Sequence, residues 1–254
     1  MKSQLNKKII ERFSRQIVLK NISILGQKRI LSSKVLIIGA GGLGAPAAMY
    51  LTASGIGKIG IVDKDNIELS NLTRQIIFDT KDIKKSKSIT AVSKLKKINP
   101  DVSLQSFNIK ITSKNINNIA RNFNIFMDCS DNFRTRFLIN DYCLKNKKIL
   151  VSGAISKFDG QVYTFNFSRK ESPCLRCFIP NVPKNLDRDN CEYEGVIGTI
   201  AGIIGTIQAN EVIKEILKIG SSLCGHILIF DALKMNFRKV KLNKRSNCIC
   251  NEKK

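Results

Sequence analysis

The chain has no apolar core to its opening residues, Met1 to Asn6, and its longest nearly apolar run, Val196 to Ile207, is too short to span a bilayer. A secretory leader and a membrane anchor are thereby excluded as expectations, and a soluble protein of the cytoplasm is expected. Internal repeats and low-complexity blocks are lacking too. Histidine is nearly absent: His226 is the single one in 254 residues, and it falls in a segment that reads as a strand, a structural position. Acidic residues are few, 20 against 43 Lys and Arg, for a net charge of +23. Clustered cations would suit nucleic acid, because they release counterions from phosphates. Clustering is missing, since groups such as Lys81, Lys84, Lys85 and Lys87 are short and flank predicted helices. A solvated basic surface is expected, without a nucleic-acid partner.

What the chain does contain is 43% hydrophobic residues, enough at this length for one sizeable core and a single domain, residues 1–254. Lys34 to Ile38 is a short β-branched run followed by glycines, which predicts a buried parallel strand entering a tight turn. Leu43 to Ser54 reads as the next helix and Lys58 to Val62 as a second strand, giving a βαβ opening. Further helices are predicted over Ser86 to Lys97, Phe133 to Lys145 and Ile197 to Lys218. Strands are predicted at Val102 to Phe107, Asn124 to Met127, Ile149 to Ser152, His226 to Phe230 and Phe237 to Leu242, with Gly160 to Phe167 as an antiparallel extension. The expected fold is α/β, a Rossmann-like mixed, mainly parallel sheet with helices on both faces, an antiparallel extension and an N-terminal helical arm. Its parts are the arm 1–31, a nucleotide-binding core 32–168, a crossover connection 178–195, and a C-terminal helix, strands and cysteine tail in 196–254.

Gly39-Ala40-Gly41-Gly42-Leu43-Gly44 lies between a strand and a helix, so its backbone can approach phosphates while the helix start presents N–H groups. Asp63 ends the following strand, where a carboxylate can accept hydrogen bonds from ribose hydroxyls. These two features suit ATP and NAD equally. Arg74, Lys87 and Asp131 separate them: a carboxylate attacking an α-phosphate must be shielded from a polyanion, which needs cations, and Asp131 can hold Mg²⁺ at a strand's carboxyl end. Each also has a plainer reading, Arg74 in a surface ion pair, Lys87 as an exposed lysine and Asp131 as a helix cap. Asp128 reads as support for its turn, and Cys129 and Cys143 as core packing.

Taken together, Arg15-Gln16, Gly39 to Gly44, Asp63, Asn71 with Arg74-Gln75, Lys87, Asp131-Asn132, Val151 to Ala154 and Cys174 to Cys177 resemble the MoeB/ThiF/HesA family over nearly the whole chain. The resemblance implies ATP-dependent adenylylation of the C-terminal glycine carboxylate of a ubiquitin-like sulfur carrier ending Gly-Gly. It places Gly42 at the phosphates, Asp63 on ribose, Asn71, Arg74 and Lys87 along the phosphate chain, and Asp131 on magnesium, with Gly39, Gly41, Gly44, Gln75 and Asn132 in the same site. It also implies a homodimer in which Arg15 reaches the other subunit's nucleotide. No general base is required, because a terminal carboxylate is already ionised.

Eight cysteines in a chain of this size suggest metal or catalysis in a reducing compartment before a disulfide framework. Cys174-Leu175-Arg176-Cys177 has the spacing of half a tetrahedral zinc site, which the family closes with a second pair near the C-terminus. Here the tail reads Cys248-Ile249-Cys250, with Asn251 where the usual spacing puts the last cysteine, so the fourth ligand is displaced. Cys191, before a helix, reads either as an activated nucleophile or as a chance loop thiol; the resemblance implies a covalent link to the activated carrier if the chain follows its ThiF-like members and a dispensable cysteine if it follows the MoeB-like ones. Because the sequence stops at Lys254, the expected sulfur donor is a separate protein. The competing readings are a tRNA-modifying adenosine dehydratase of the same superfamily, an NAD-dependent oxidoreductase, and a scaffold that only binds a carrier.

Overall fold

The computed structural model describes residues 6–181 and 195–251. The strands are β1 (Lys34–Ile38), β2 (Lys58–Val62), β3 (Ser103–Phe107), β4 (Ile125–Asp128), β5 (Ile149–Ser156), β6 (Asp159–Asn166), β7 (His226–Asp231) and β8 (Asn236–Lys241). They form one sheet in the order β3-β2-β1-β4-β5-β6-β7-β8. The pairings among β3, β2, β1, β4 and β5 are parallel, and those from β5 to β8 antiparallel. Chain order reverses direction across the sheet between β1 and β4, which opens a crevice beyond their carboxyl ends.

The helices are α1 (Lys7–Arg12), α2 (Ser14–Ile17), α3 (Ser23–Ser32), α4 (Gly44–Ala53), α5 (Lys87–Ile98), α6 (Ile116–Ala120), α7 (Phe133–Lys145), α8 (Leu175–Phe178) and α9 (Gly198–Leu217). Side chains alternate across a strand, so the central strands feed two cores. Ile37, Ile61, Met127 and Val151 pack with Leu51, Leu95, Ile204 and Val212 on one face. Leu36, Phe126, Leu150 and Phe165 pack with Ile119, Phe137 and Ile139 on the other. Double coverage explains why β1 and β2 read as continuous apolar runs. At the outer edge every residue of β8 is exposed, and Arg238, Lys239 and Lys241 put charge where an unpaired strand would otherwise invite association.

The expected α/β architecture is present, with differences in extent. β5 continues past Ser152 to Ser156 because Gly153–Ser156 find hydrogen-bonding partners in β6 as far as Asp159. α9 excludes both expected end residues: Ile197 is extended and caps it, while Lys218 stops it in a left-handed conformation. The N-terminal helices lie against the core. Phe13 is buried over Gly55, and Arg29 Nη1 donates to the Leu217 carbonyl at 3.3 Å. Among the described residues no helix is long and apolar enough to cross a membrane.

α9 crosses the start of α4 with Gly205 at the contact. A methyl group there would stand 2.3 Å from the Leu43 carbonyl oxygen and 2.8 Å from the Pro46 ring. Gly205→Ala is therefore expected to push α9 away and destabilise the fold by about 1–3 kcal/mol, the usual cost of overpacking. Urea unfolding with an unchanged midpoint would show that the crossing has slack.

Candidate functional site

The sheet's hydrogen-bond ladder runs out at the crevice in an ordered way. Gly39 N donates to the Val62 carbonyl at 2.8 Å and Cys129 N to the Ile38 carbonyl at 2.9 Å, so the ends of β1, β2 and β4 are held level. Gly39 then turns with φ +99°, a left-handed conformation that glycine adopts without strain. At Gly44 a side chain would lie 1.9 Å from the Gly39 carbonyl oxygen. Two glycines are thus what let the strand fold back into α4, and Gly41, Gly42 and Leu43, just ahead of that helix, are the part of the turn that lines the crevice.

A cavity of about 210 Å³ occupies the crevice. Gly39, Gly41, Gly42 and Asp63 line it from the strand ends. Asn71, Arg74, Gln75 and Lys87 come from the segment after β2, and Asp131 and Asn132 from the segment after β4. Gly44 supports the turn without lining the space. Arg15 is exposed on α2, away from these walls, and Cys191 falls outside the described residues.

Asp63 is bound to the glycine turn: Oδ2 accepts from Ala40 N at 2.8 Å and Oδ1 from Asp65 N at 2.9 Å. Burial lifts its carboxyl above the ordinary range, against the pull of those two N–H groups and of Lys87. Asn71 is buried and its Oδ1 accepts from Glu68 N at 3.1 Å, which fixes the short turn ahead of Arg74. Arg74 Nη1 donates to the Ser70 carbonyl at 3.1 Å, laying its stem alongside Gly42. Gln75 is buried with its Oε1 unpaired. Lys87 opens α5 and is only 9% exposed, its Nζ 3.9 Å from Asp65 Oδ2. The plain reading of Lys87 as one more solvated lysine does not describe this position.

On the other side, Asp128 braces the turn as expected. Its Oδ1 accepts from Ser130 N at 3.1 Å and Ser130 Oγ at 2.6 Å, its Oδ2 from Ser152 Oγ at 2.6 Å, and its backbone carbonyl from Gln208 Nε2 at 2.9 Å. Helix α7 is capped by Asn132, whose Oδ1 accepts from Thr135 N at 2.9 Å. Asp131 is therefore not the cap. Its carboxylate stands exposed on the cavity rim, touched by Asn132 Nδ2 at 3.2 Å. Among the lining residues that were not anticipated is Arg136, buried at 8% exposure, with Nη2 donating to the Ser130 carbonyl at 2.6 Å.

The four sulfurs of Cys174, Cys177, Cys248 and Cys250 lie within 4.8 Å of one another. The Cys174–Cys248 and Cys177–Cys250 pairs are each 3.4 Å apart. Zinc–sulfur bonds of about 2.3 Å in a tetrahedron need sulfurs about 3.8 Å apart, so the donor set suits such an ion. The shortened spacing is accommodated by a tight turn over Ile249–Asn251. Cys129 and Cys143 are buried, and burial pushes both thiols well up, as befits core residues.

A model of the ThiF family matches residues 13–251. The chain is 38% identical over 250 residues to the sulfur carrier protein adenylyltransferase of Thermus thermophilus, covering 97% of this chain and 92% of that protein. It is 46% identical over 232 residues to a probable molybdopterin-synthase adenylyltransferase of Porphyra purpurea, covering 91% of this chain but 60% of that longer protein. Among solved structures, E. coli MccB with AMPCPP and MccA superposes with a TM-score of 0.83 at 22% identity, over 95% of this chain and 74% of that one, a likeness of fold.

Asp128 carries the wall of the cavity, and an amide there cannot accept at both of its ends. Asp128→Asn is expected to leave one hydroxyl of Ser130 or Ser152 without its acceptor and to cost about 1–3 kcal/mol. The shift in urea midpoint measures this, and a change below about 0.5 kcal/mol would refute the assigned role.

Proposed function

This chain belongs to the ThiF family, and from that membership and the contents of the crevice we propose that it adenylylates the C-terminal glycine carboxylate of a ubiquitin-like sulfur carrier. The observation that carries the reading is the convergence of Arg74, Lys87 and Asp131 on the cavity that also holds the glycine turn and Asp63. An NAD-dependent oxidoreductase needs only the turn and the aspartate, and a carrier-binding scaffold needs none of the five.

In this reading Asp63 accepts from the ribose hydroxyls of ATP, and the turn from Gly39 to Gly44 receives the phosphates at the start of α4. Asn71, Arg74 and Lys87 lie along the phosphate chain, with Gln75 and Asn132 beside them. Asp131 would be the carboxylate that holds Mg²⁺, which would supply positive charge to offset that of the phosphates. A carboxylate oxygen of the carrier forms a bond to the α-phosphorus while the bond to the bridging oxygen breaks, and pyrophosphate departs with that electron pair. No proton moves, because the attacking group is ionised near neutral pH. What the protein must supply is positive charge held in place, since nucleophile and substrate repel. The product is an acyl-adenylate, on which a separate sulfur donor acts.

The tetrathiolate cluster would hold Zn²⁺, a structural role that fixes the C-terminal tail and requires a reducing compartment such as the cytoplasm. We further propose that residues 1–254 act as one adenylating unit, in a homodimer that brings Arg15 to the partner's nucleotide. The carrier is of the molybdopterin-synthase small-subunit type or of the thiamine-biosynthesis type. Cys191 is retained as the candidate for a covalent link to it. The thiol cluster and the carrier-directed names of the relatives favour this over the tRNA-directed branch.

Asp131→Ala is expected to abolish carrier-dependent ATP–pyrophosphate exchange with an unchanged urea midpoint; exchange at the wild-type rate, or exchange that answers to tRNA and not to a Gly-Gly carrier, would overturn the assignment. Metal analysis is expected to find about one zinc per purified chain, and much less in Cys250→Ser. A metal-free wild type would remove zinc from this account.

A further inference from the structure

Between the first two cysteines of the thiol cluster stands a cation that the crevice does not use. Arg176 follows Cys174 by two positions and precedes Cys177 by one, on the single turn of α8. Its guanidinium is held from two sides by α7. Nε donates to Asp141 Oδ1 at 2.9 Å and Nη2 to Asp141 Oδ2 at 2.7 Å, a planar fork on one carboxylate. The guanidinium carbon also lies 4.7 Å from the centre of the Phe137 ring. The bonds to Asp141 favour the charged guanidinium, and so does charge on the sulfurs of Cys174 and Cys248. Arg176 is thus a fixed, half-buried cation beside the cluster.

Thiols hold a divalent ion as thiolates, so a zinc tetrathiolate carries a net charge of about −2, two positive against four negative. Cys174, Cys177 and Cys248 are buried, and a buried anion is costly unless cations or N–H groups offset it. One N–H is in place, Arg245 N, which donates to Cys177 Sγ at 3.5 Å. A single peptide dipole cannot balance two charges, whereas a guanidinium brings a whole one. Losing Arg176 would also leave the Asp141 carboxylate uncompensated, adding negative charge near the thiolates.

We propose that Arg176 is the electrostatic support of the cysteine cluster, a cation that raises its affinity for zinc by offsetting the charge of the four thiolates. This rests on the zinc reading of the cluster and adds to it a positioning residue that ligates no metal itself. Groups surrounding a metal's ligands govern its affinity in this way. Arginine suits the place because its charge persists whatever its surroundings, and because a fork on Asp141 fixes its direction as a flexible ammonium could not.

The test is the zinc affinity of the full chain, measured by competition with a chromophoric chelator, so the readout is independent of turnover. Arg176→Gln and Asp141→Asn both break the fork, but only the first removes the cation. Arg176→Gln is expected to lose about 10–100-fold in zinc affinity, Asp141→Asn to stay within about threefold of the wild type, and Arg176→Lys to recover most of the loss. A residue that only clasps α8 to α7 would make Arg176→Gln and Asp141→Asn equally weak and would not be rescued by lysine. That pattern overturns the proposal, as does an Arg176→Gln affinity within about twofold of the wild type. Should Arg176→Gln fail to fold, the other two variants decide, a loss of about tenfold in either one counting against the assignment. A wild type that takes up no zinc sinks the zinc reading and this with it, whereas a wild type and Arg176→Gln that hold zinc equally sink this inference alone.

Discussion

The crevice depends on how closely the end of β1 passes the beginning of α4. The Gly39 carbonyl oxygen occupies the place a Gly44 side chain would take, 1.9 Å from its β-carbon, and that approach folds the glycine turn against the cavity, where Gly41 and Gly42 line it. Asp63 is tied to the same turn through Ala40 N, so the carboxylate and the backbone of the glycine turn form one rigid piece. Across the crevice the β4 end is held level by Cys129 N on Ile38 O and braced through Asp128 and Gln208 to β5 and α9. Distances between the two walls are therefore set by the sheet, and loops only decorate them.

Charge is distributed in a way that net charge conceals. The surplus of cations is spread over the surface, where solvent screens it. Lys87 and Arg136 differ because they are buried, at 9% and 8% exposure, and a buried cation is costly unless nearby groups offset it. Placing both against one cavity gives its wall fixed positive charge, which does not follow from +23. Asp65 near Lys87 and Asp131 on the rim keep the field from being uniformly positive.

Much of this was legible along the chain. The glycines from Gly39 to Gly44 and Asp63 announce themselves because a tight turn and a strand-end carboxylate each have local signatures. Arg136 was not legible. Arg134 and Arg136 look alike as letters early in α7, yet one is exposed and the other buried, a difference decided by which side of the helix meets β4 and β5. The length of β5 was hidden for a similar reason, since its last four residues are strand only because β6 pairs with them. Cys250 looked displaced by one position; the turn over Ile249–Asn251 that brings its sulfur to Cys177 is a tertiary outcome. Arg15 and Cys191 rest on resemblance, because no local pattern distinguishes them.

The thiol cluster and the crevice look remote in sequence but share a helix. At its start α7 is capped by Asn132 beside the cavity. Further along, Asn140 Oδ1 accepts from Leu175 N at 2.9 Å, and Asp141 takes a two-pronged bond from Arg176 at 2.9 and 2.7 Å. The same Arg176 lies over the Phe137 ring at 4.7 Å. The segment between Cys174 and Cys177 is thus clasped to α7, and the tail cysteines close on that segment. A helix clasped in this way through Asn140 and Asp141 cannot rotate about its axis without breaking those bonds. Rotation is the motion that would carry Arg136 away from the crevice wall, so ordering the C-terminal tail also fixes the orientation of a group that lines the crevice.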